Sequence, residues 1–106
     1  MANYQTIYAL STGSLPSAIA VVRVSGPSTQ KVLKLLVSQV PKPRKLMLKE
    51  IKTADQEIID IALVCFFPKT ESITGEDLAE FHVHGSVSVV EGLYLSLAAI
   101  KDVRPA

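Results

Sequence analysis

The apolar positions of the chain fall into short alternating runs, and these predict the elements. Thr6 to Leu10 (TIYAL) is a β-prone run ended by the turn-like STGSLPS. Ala18 to Val24 (AIAVVRV) is nearly all apolar and β-branched, which reads as a strand covered on both faces. Ser25-Gly26-Pro27-Ser28 is a helix-start signal, with Ser28 placed to accept from a free backbone N–H. The TQKVLKLLVSQV that follows puts Val32, Leu33, Leu36 and Val40 on one stripe, and Pro41 and Pro43 end it. Leu46 to Thr53 alternates more weakly, and Ala54-Asp55-Gln56 reads as a turn.

Glu57 to Phe67 (EIIDIALVCFF) is the strongest strand pattern. Strict alternation puts 59, 61, 63, 65 and 67 on one apolar face. Asp60 is then the single interruption on the other, among Ile58, Ala62, Val64 and Phe66. Pro68 stops the strand, and a polar loop leads to Leu78–His84 (LAEFHVH), which alternates again. Gly85-Ser86 opens a second helix running to Asp102, with Val90, Leu93, Leu97 and Ile100 at helical spacing. Ser88 and Glu91 offer an alternative capping box. Gly92 inside this helix costs about 1 kcal/mol against alanine. The order is ββαββ(β)α, with the third strand the least marked. The fold class expected is α+β, a single mixed β-sheet with two helices.

Composition narrows the classes of function. At 106 residues and 48% hydrophobic, the chain is one domain with a modest core. Net charge is +1, and the densest basic run (Lys42, Arg44, Lys45, Lys49, Lys52) has no interleaved aromatics. It reads as a solvated face rather than a nucleic-acid groove. The lone Cys65 allows no internal disulfide and fits a reducing cytoplasm. No secretory signal opens the chain, and no run reaches the ~20 apolar residues of a membrane helix. Neither a G-x-x-x-x-G-K-[ST] loop nor a G-x-G-x-x-G turn is present, so neither common nucleotide phosphate site is carried here.

Candidate chemistry concentrates in Ser72–Ser86 (SITGEDLAEFHVHGS). Alternation puts Glu80, His82 and His84 on one strand face and Phe81 and Val83 on the core side. Histidines at i and i+2 can both bind zinc, but structural zinc sites want four ligands, and Cys65 sits on another, apolar strand. No serine sits in a nucleophile elbow. Arg23 interrupts an apolar strand, so its guanidinium snorkels to water or meets a carboxylate, either Glu80 or one on a ligand. Thr74-Gly75-Glu76-Asp77 is a turn with a permissive glycine or the lip of a pocket.

TIYAL, VVRVSGPS, SITGEDLAEFHVHG and the helix after them resemble the N-terminal domains of the tRNA modification GTPase family known as MnmE or TrmE. The resemblance spans essentially the whole chain, 1–106. It implies an excised domain of a longer protein whose helical and GTPase domains (the latter using GTP, Mg and K) are absent. The fold implied is one half of an aminomethyltransferase-type folate-binding domain, two subunits each supplying a half. The implied function is binding of a tetrahydrofolate derivative (5-formyl- or 5,10-methylene-tetrahydrofolate) and homodimerisation, in the cytoplasm.

The implied partners of the whole protein are the FAD protein MnmG and tRNA, whose wobble uridine is modified at C5. Arg23 and Glu80 fall on the family's folate-site arginine and glutamate; His82 and His84 extend that face. Glu80 is the candidate acceptor for the N–H/NH₂ fork of a pterin, a geometry carboxylates also offer arginine. A further folate-site lysine lies downstream of this chain. Residues 11 to 18 (STGSLPSA) replace a glycine-rich loop of the family, and Gly85-Ser86 replaces its Gly-Gly. A purely structural dimerisation domain without folate binding is the alternative.

Overall fold

The computed structural model describes residues 5–11, 15 and 18–106. It contains β1 (Thr6–Leu10), β2 (Ile19–Ser25), α1 (Thr29–Val37), β3 (Met47–Lys52), β4 (Ile58–Phe67), β5 (Leu78–His84), α2 (Val87–Ala98) and β6 (Val103–Pro105). The six strands form one sheet in the order β3-β4-β5-β2-β1-β6. All neighbours are antiparallel except β1 and β6, so the sheet is mixed, as expected for this class. Apart from Ser11, Leu15 and Ala18, the divergent loop at 11–18 lies outside the described residues.

The alternating pattern sends one residue in two to the core. Ala20, Val22 and Val24 of β2, Ala79, Phe81 and Val83 of β5, and Ala62, Val64 and Phe66 of β4 are all buried. They meet Val32, Leu33, Leu36 and Val37 of α1 and Val90, Leu93 and Leu97 of α2 in one cluster. Each fully buried large side chain, such as Phe81, contributes roughly 1.5–3 kcal/mol over its exposed state.

Several expectations change. The residues of β2 between the core positions are not covered: Ile19 is 57% exposed, Val21 is half-buried and Arg23 exposed. A β-branched run tells that a strand is half-buried or more; it does not tell whether a second layer exists. In β4 strict alternation fails at a bulge. Ile51 pairs with Asp60 and Lys52 with Ile58, which leaves Ile59 extra. Ile59 packs against the core, and Ile58, Ile61 and Leu63 stay largely exposed.

Helix α1 stops at Val37, before the two prolines, because Ser38 turns left-handed at φ 75°. Ser28 makes no side-chain cap; its backbone N–H instead donates to Thr6 Oγ1 at 2.7 Å. Helix α2 is capped by Ser86, whose hydroxyl accepts from the Val89 N–H, so the Ser88 box is not used. A methyl at Gly92 would lie 3.5 Å from Ile59, ordinary contact, so close packing does not require that glycine. The helix ends at Ala98 rather than Asp102, and Asp102 (φ 66°) turns the chain into the unforeseen β6. The third strand does form, and the 54–56 turn closes with Gln56 N–H on Thr53 O at 2.9 Å.

Candidate functional site on the open face of the sheet

Register brings the predicted residues together. Arg23 and Glu80 are directly opposite across β2 and β5, and Val21 faces His82. On the other flank of β5, Cys65 faces Glu80 and Leu63 faces His82. Arg23 Nε donates to Glu80 Oε2 at 2.9 Å, and His82 Nε2 lies 3.0 Å from Glu80 Oε1. The arginine therefore meets the protein's own glutamate, and each carboxylate oxygen has one partner.

Exposure differs sharply across this trio. Glu80 is 16% exposed, His82 26% and Arg23 45%. Burial pushes the Glu80 carboxyl up, but the hydrogen bonds and charges of His82 and Arg23 outweigh it and hold it below the ordinary carboxylate range. Glu80 is thus an anion at neutral pH, held in place from two sides. A carboxylate has about four acceptor sites, so two remain for a ligand with adjacent N–H donors. Beside it, burial first and the Glu80 charge second push the Cys65 thiol up, against the opposing pull of the Phe66 backbone hydrogen bond. That thiol stays protonated.

His84 is not part of this trio. Its ring Nδ1 lies 2.9 Å from Asp60 Oδ1, and its backbone N–H donates to Asp60 Oδ2 at 2.8 Å. The ordinary ladder between β4 and β5 ends at Leu63–His82. Beyond that pair, the side chain of Asp60, the last residue of β4 in regular register with β3 before the bulge, supplies the next acceptor. Asp60 was visible in the sequence only as an interruption, and nothing local in the sequence pairs it with His84. Among the described residues no three His, Cys, Asp or Glu side chains gather as metal ligands.

The loop before β5 is pinned rather than open. Asp77 Oδ1 accepts the Lys69 N–H at 2.9 Å and Oδ2 accepts Gln30 Nε2 at 3.1 Å. Its carbonyl accepts from Gly26 N and the Thr29 hydroxyl, both at 3.0 Å. Ser25 Oγ donates to Thr74 Oγ1 at 2.9 Å, and Ser72 bonds the Glu76 carbonyl. Gly75 supplies φ +76° at the tip, and Ile73 beside it is 85% exposed. Gly26, at φ +141°, passes so close to β1 that a Cβ would lie 2.6 Å from Thr6 Cα. The SGPS and TGED motifs therefore clasp each other.

The Arg23–Glu80 pair sits on the sheet face opposite the core cluster that holds both helices. Among the described residues, clefts lie elsewhere, with about 760 Å³ beside Gly26, Lys69 and Asp77 and about 530 Å³ on each flank of Leu95 of α2. Around the pair, the open face carries Ile19, Leu48, Ile61 and Leu63, each more than 40% exposed. Of the basic run, Arg44 lies 3.6 Å from Glu71 and Lys52 3.5 Å from Glu50, both at the surface.

The sequence matches, over residues 6–106, the family described as the GTP-binding protein TrmE N-terminus. It is similar to proteins named tRNA modification GTPase MnmE. The Rhodopseudomonas palustris (strain HaA2) protein is 48% identical over 104 residues, which are 98% of this chain and 23% of the relative. That of Pelagibacter ubique is 50% identical over 95% of this chain and 23% of its own length. For Rhizobium meliloti the figures are 45%, 100% and 24%. The chain thus spans about a quarter of the length of these curated relatives.

Proposed function

The chain belongs to the TrmE N-terminal family, and from that premise we propose that it is the tetrahydrofolate-binding and homodimerising domain of a tRNA modification GTPase. The observation that carries this reading is the ionised Glu80, fixed by Arg23 and His82 on a sheet face that neither helix covers. An immobilised carboxylate with free acceptor sites suits the paired N–H and NH₂ donors of a pterin. Binding would then add hydrogen bonds without first reorganising the acceptor.

An open face is half a site. Ile19, Leu48, Ile61 and Leu63 surround the polar trio with exposed apolar surface, which a second copy of the domain would cover while closing a pocket over the ligand. In the whole protein, a GTPase domain using GTP, Mg and K would drive the cycle. MnmG and tRNA would be the partners, in the cytoplasm, with C5 of the wobble uridine as the modified position.

Calorimetric titration with 5-formyltetrahydrofolate tests the folate half of this reading. Binding is expected, and Glu80→Gln is expected to weaken it at least tenfold. If neither this chain nor one extended past Ala106 binds, the folate reading is wrong and the alternative, a purely structural dimerisation domain, stands. Sedimentation tests the other half: a monomer at every concentration, with or without ligand, removes the two-subunit pocket.

A further inference from the structure

We infer that Asp60 and His84 form a second polar anchor on the open face, with Asp60 the positioning residue and the His84 Nε2 lone pair the group offered to a ligand. The inference rests on the folate reading of Glu80 but adds a distal contact and a residue that reading does not contain.

The protonation pattern follows from counting donors. Asp60 accepts two backbone N–H groups, from His84 at 2.8 Å and from Ile61 at 2.9 Å. It is 11% exposed, so its oxygens are committed acceptors. The His84 Nδ1, 2.9 Å from Asp60 Oδ1 and 3.1 Å from Oδ2, can hold a hydrogen bond only as the protonated nitrogen. In the neutral ring Nε2 is then the acceptor. The side chain is 73% exposed, so that nitrogen is open to solvent. A ring held by a carboxylate at one nitrogen presents the other with fixed tautomer and direction.

Position defines what this nitrogen can meet. Glu80, His82 and His84 share one face of β5, and Glu80 and His84 are four residues apart. At roughly 3.3 Å per residue their backbones lie about 13 Å apart. A bicyclic ring clamped at Glu80 is too short to reach His84. An extended ligand that carries an N–H or O–H donor well beyond its ring can lie along β5 and touch both. The neighbour across the sheet from His84 is Ile19, which sets exposed apolar surface beside the second anchor.

The test compares two probes on the unaltered chain, His84→Ala and Asp60→Asn: 5-formyltetrahydrofolate as the extended ligand and 6-hydroxymethylpterin as the ring alone. His84→Ala is expected to weaken the extended ligand about fivefold to tenfold and leave the ring fragment unchanged. Asp60→Asn should do the same, keeping one of the two backbone bonds, since the amide has a single acceptor oxygen where the carboxylate used one for Ile61 and one for His84. Nitrogen-15 spectra of the histidine ring read the cause: protonated Nδ1 in the unaltered chain at alkaline pH, and a shift toward protonated Nε2 in Asp60→Asn. Equal loss of both probes in His84→Ala, or no loss of either, overturns the anchor and leaves the folate reading intact. A neutral His84 protonated at Nε2 in the unaltered chain overturns the positioning role of Asp60. Failure of the unaltered chain to bind either probe overturns the folate reading and this inference with it.

Discussion

The two ends of Ser72–His84 do opposite work with the same kinds of residue. At the start, Thr74, Glu76 and Asp77 spend their hydrogen bonds inward, on Ser25, Ser72, Lys69, Gln30, Gly26 and Thr29. At the end, Glu80 and His82 also bond to neighbours, yet they stay on an uncovered face with acceptor sites unused. Acidity and hydrogen bonding alone do not separate a clasp from a binding face. What separates them is whether the bonds close on backbone groups or on side chains that leave room for a third party.

Substitutions sharpen that contrast, beginning with the clasp. Gly26→Ala combines a φ that L-residues rarely adopt with a Cβ 2.6 Å from Thr6 Cα. It is expected to cost roughly 3 kcal/mol, enough to leave much of a small domain unfolded, read by urea denaturation. A loss below about 1 kcal/mol means that β1 and the turn slide apart freely and the clasp is loose. Asp77→Ala removes the acceptor of the Lys69 N–H and is expected to cost about 1–2 kcal/mol with little change in ligand affinity once folded. Glu80→Gln should show the reverse. Its stability cost stays under about 1 kcal/mol because the partner Arg23 is half in solvent, while its affinity collapses. Equal stability losses at positions 77 and 80 break the division between clasp and face.

The smallest effect is in the pH dependence. The folded Glu80 carboxyl is held below its unfolded value, so its contribution to stability is complete above the unfolded range. It is lost as pH falls through that range toward the folded value. From about pH 7 to about pH 3 the unaltered chain should therefore lose slightly more stability than Glu80→Gln. Identical acid profiles mean that Arg23 and His82 do not hold the carboxylate ionised.

Much of the fold was legible because period-two alternation and helical spacing report burial directly. Ala20, Val22 and Val24, Phe81 and Val83, and Val90, Leu93 and Leu97 lie in the core where the pattern put them. The face shared by Glu80, His82 and His84 was legible for the same reason. Three things were not. β6 is three residues long and exists through its pairing with β1, with Val103 its buried residue. The bulge at Ile59 shifts the face by one residue without any glycine or proline to mark it. The bareness of the outer face was hidden because Ile19 and Val21 are as apolar as a covered strand requires.

By itself the sequence determined which residues alternate, where the helices begin, that Arg23 and Asp60 interrupt apolar strands, and that Glu80 shares a polar strand face with His82 and His84. Local pattern suffices there, since the backbone fixes side-chain direction every second or every 3.6 residues. Only the tertiary structure decided that Arg23 lies opposite Glu80 rather than another carboxylate. It also decided that Asp60 turns to His84, and that TGED locks onto SGPS. Those are long-range pairings, set by strand register and sheet order, and register depends on the packing of the whole sheet rather than on any one segment.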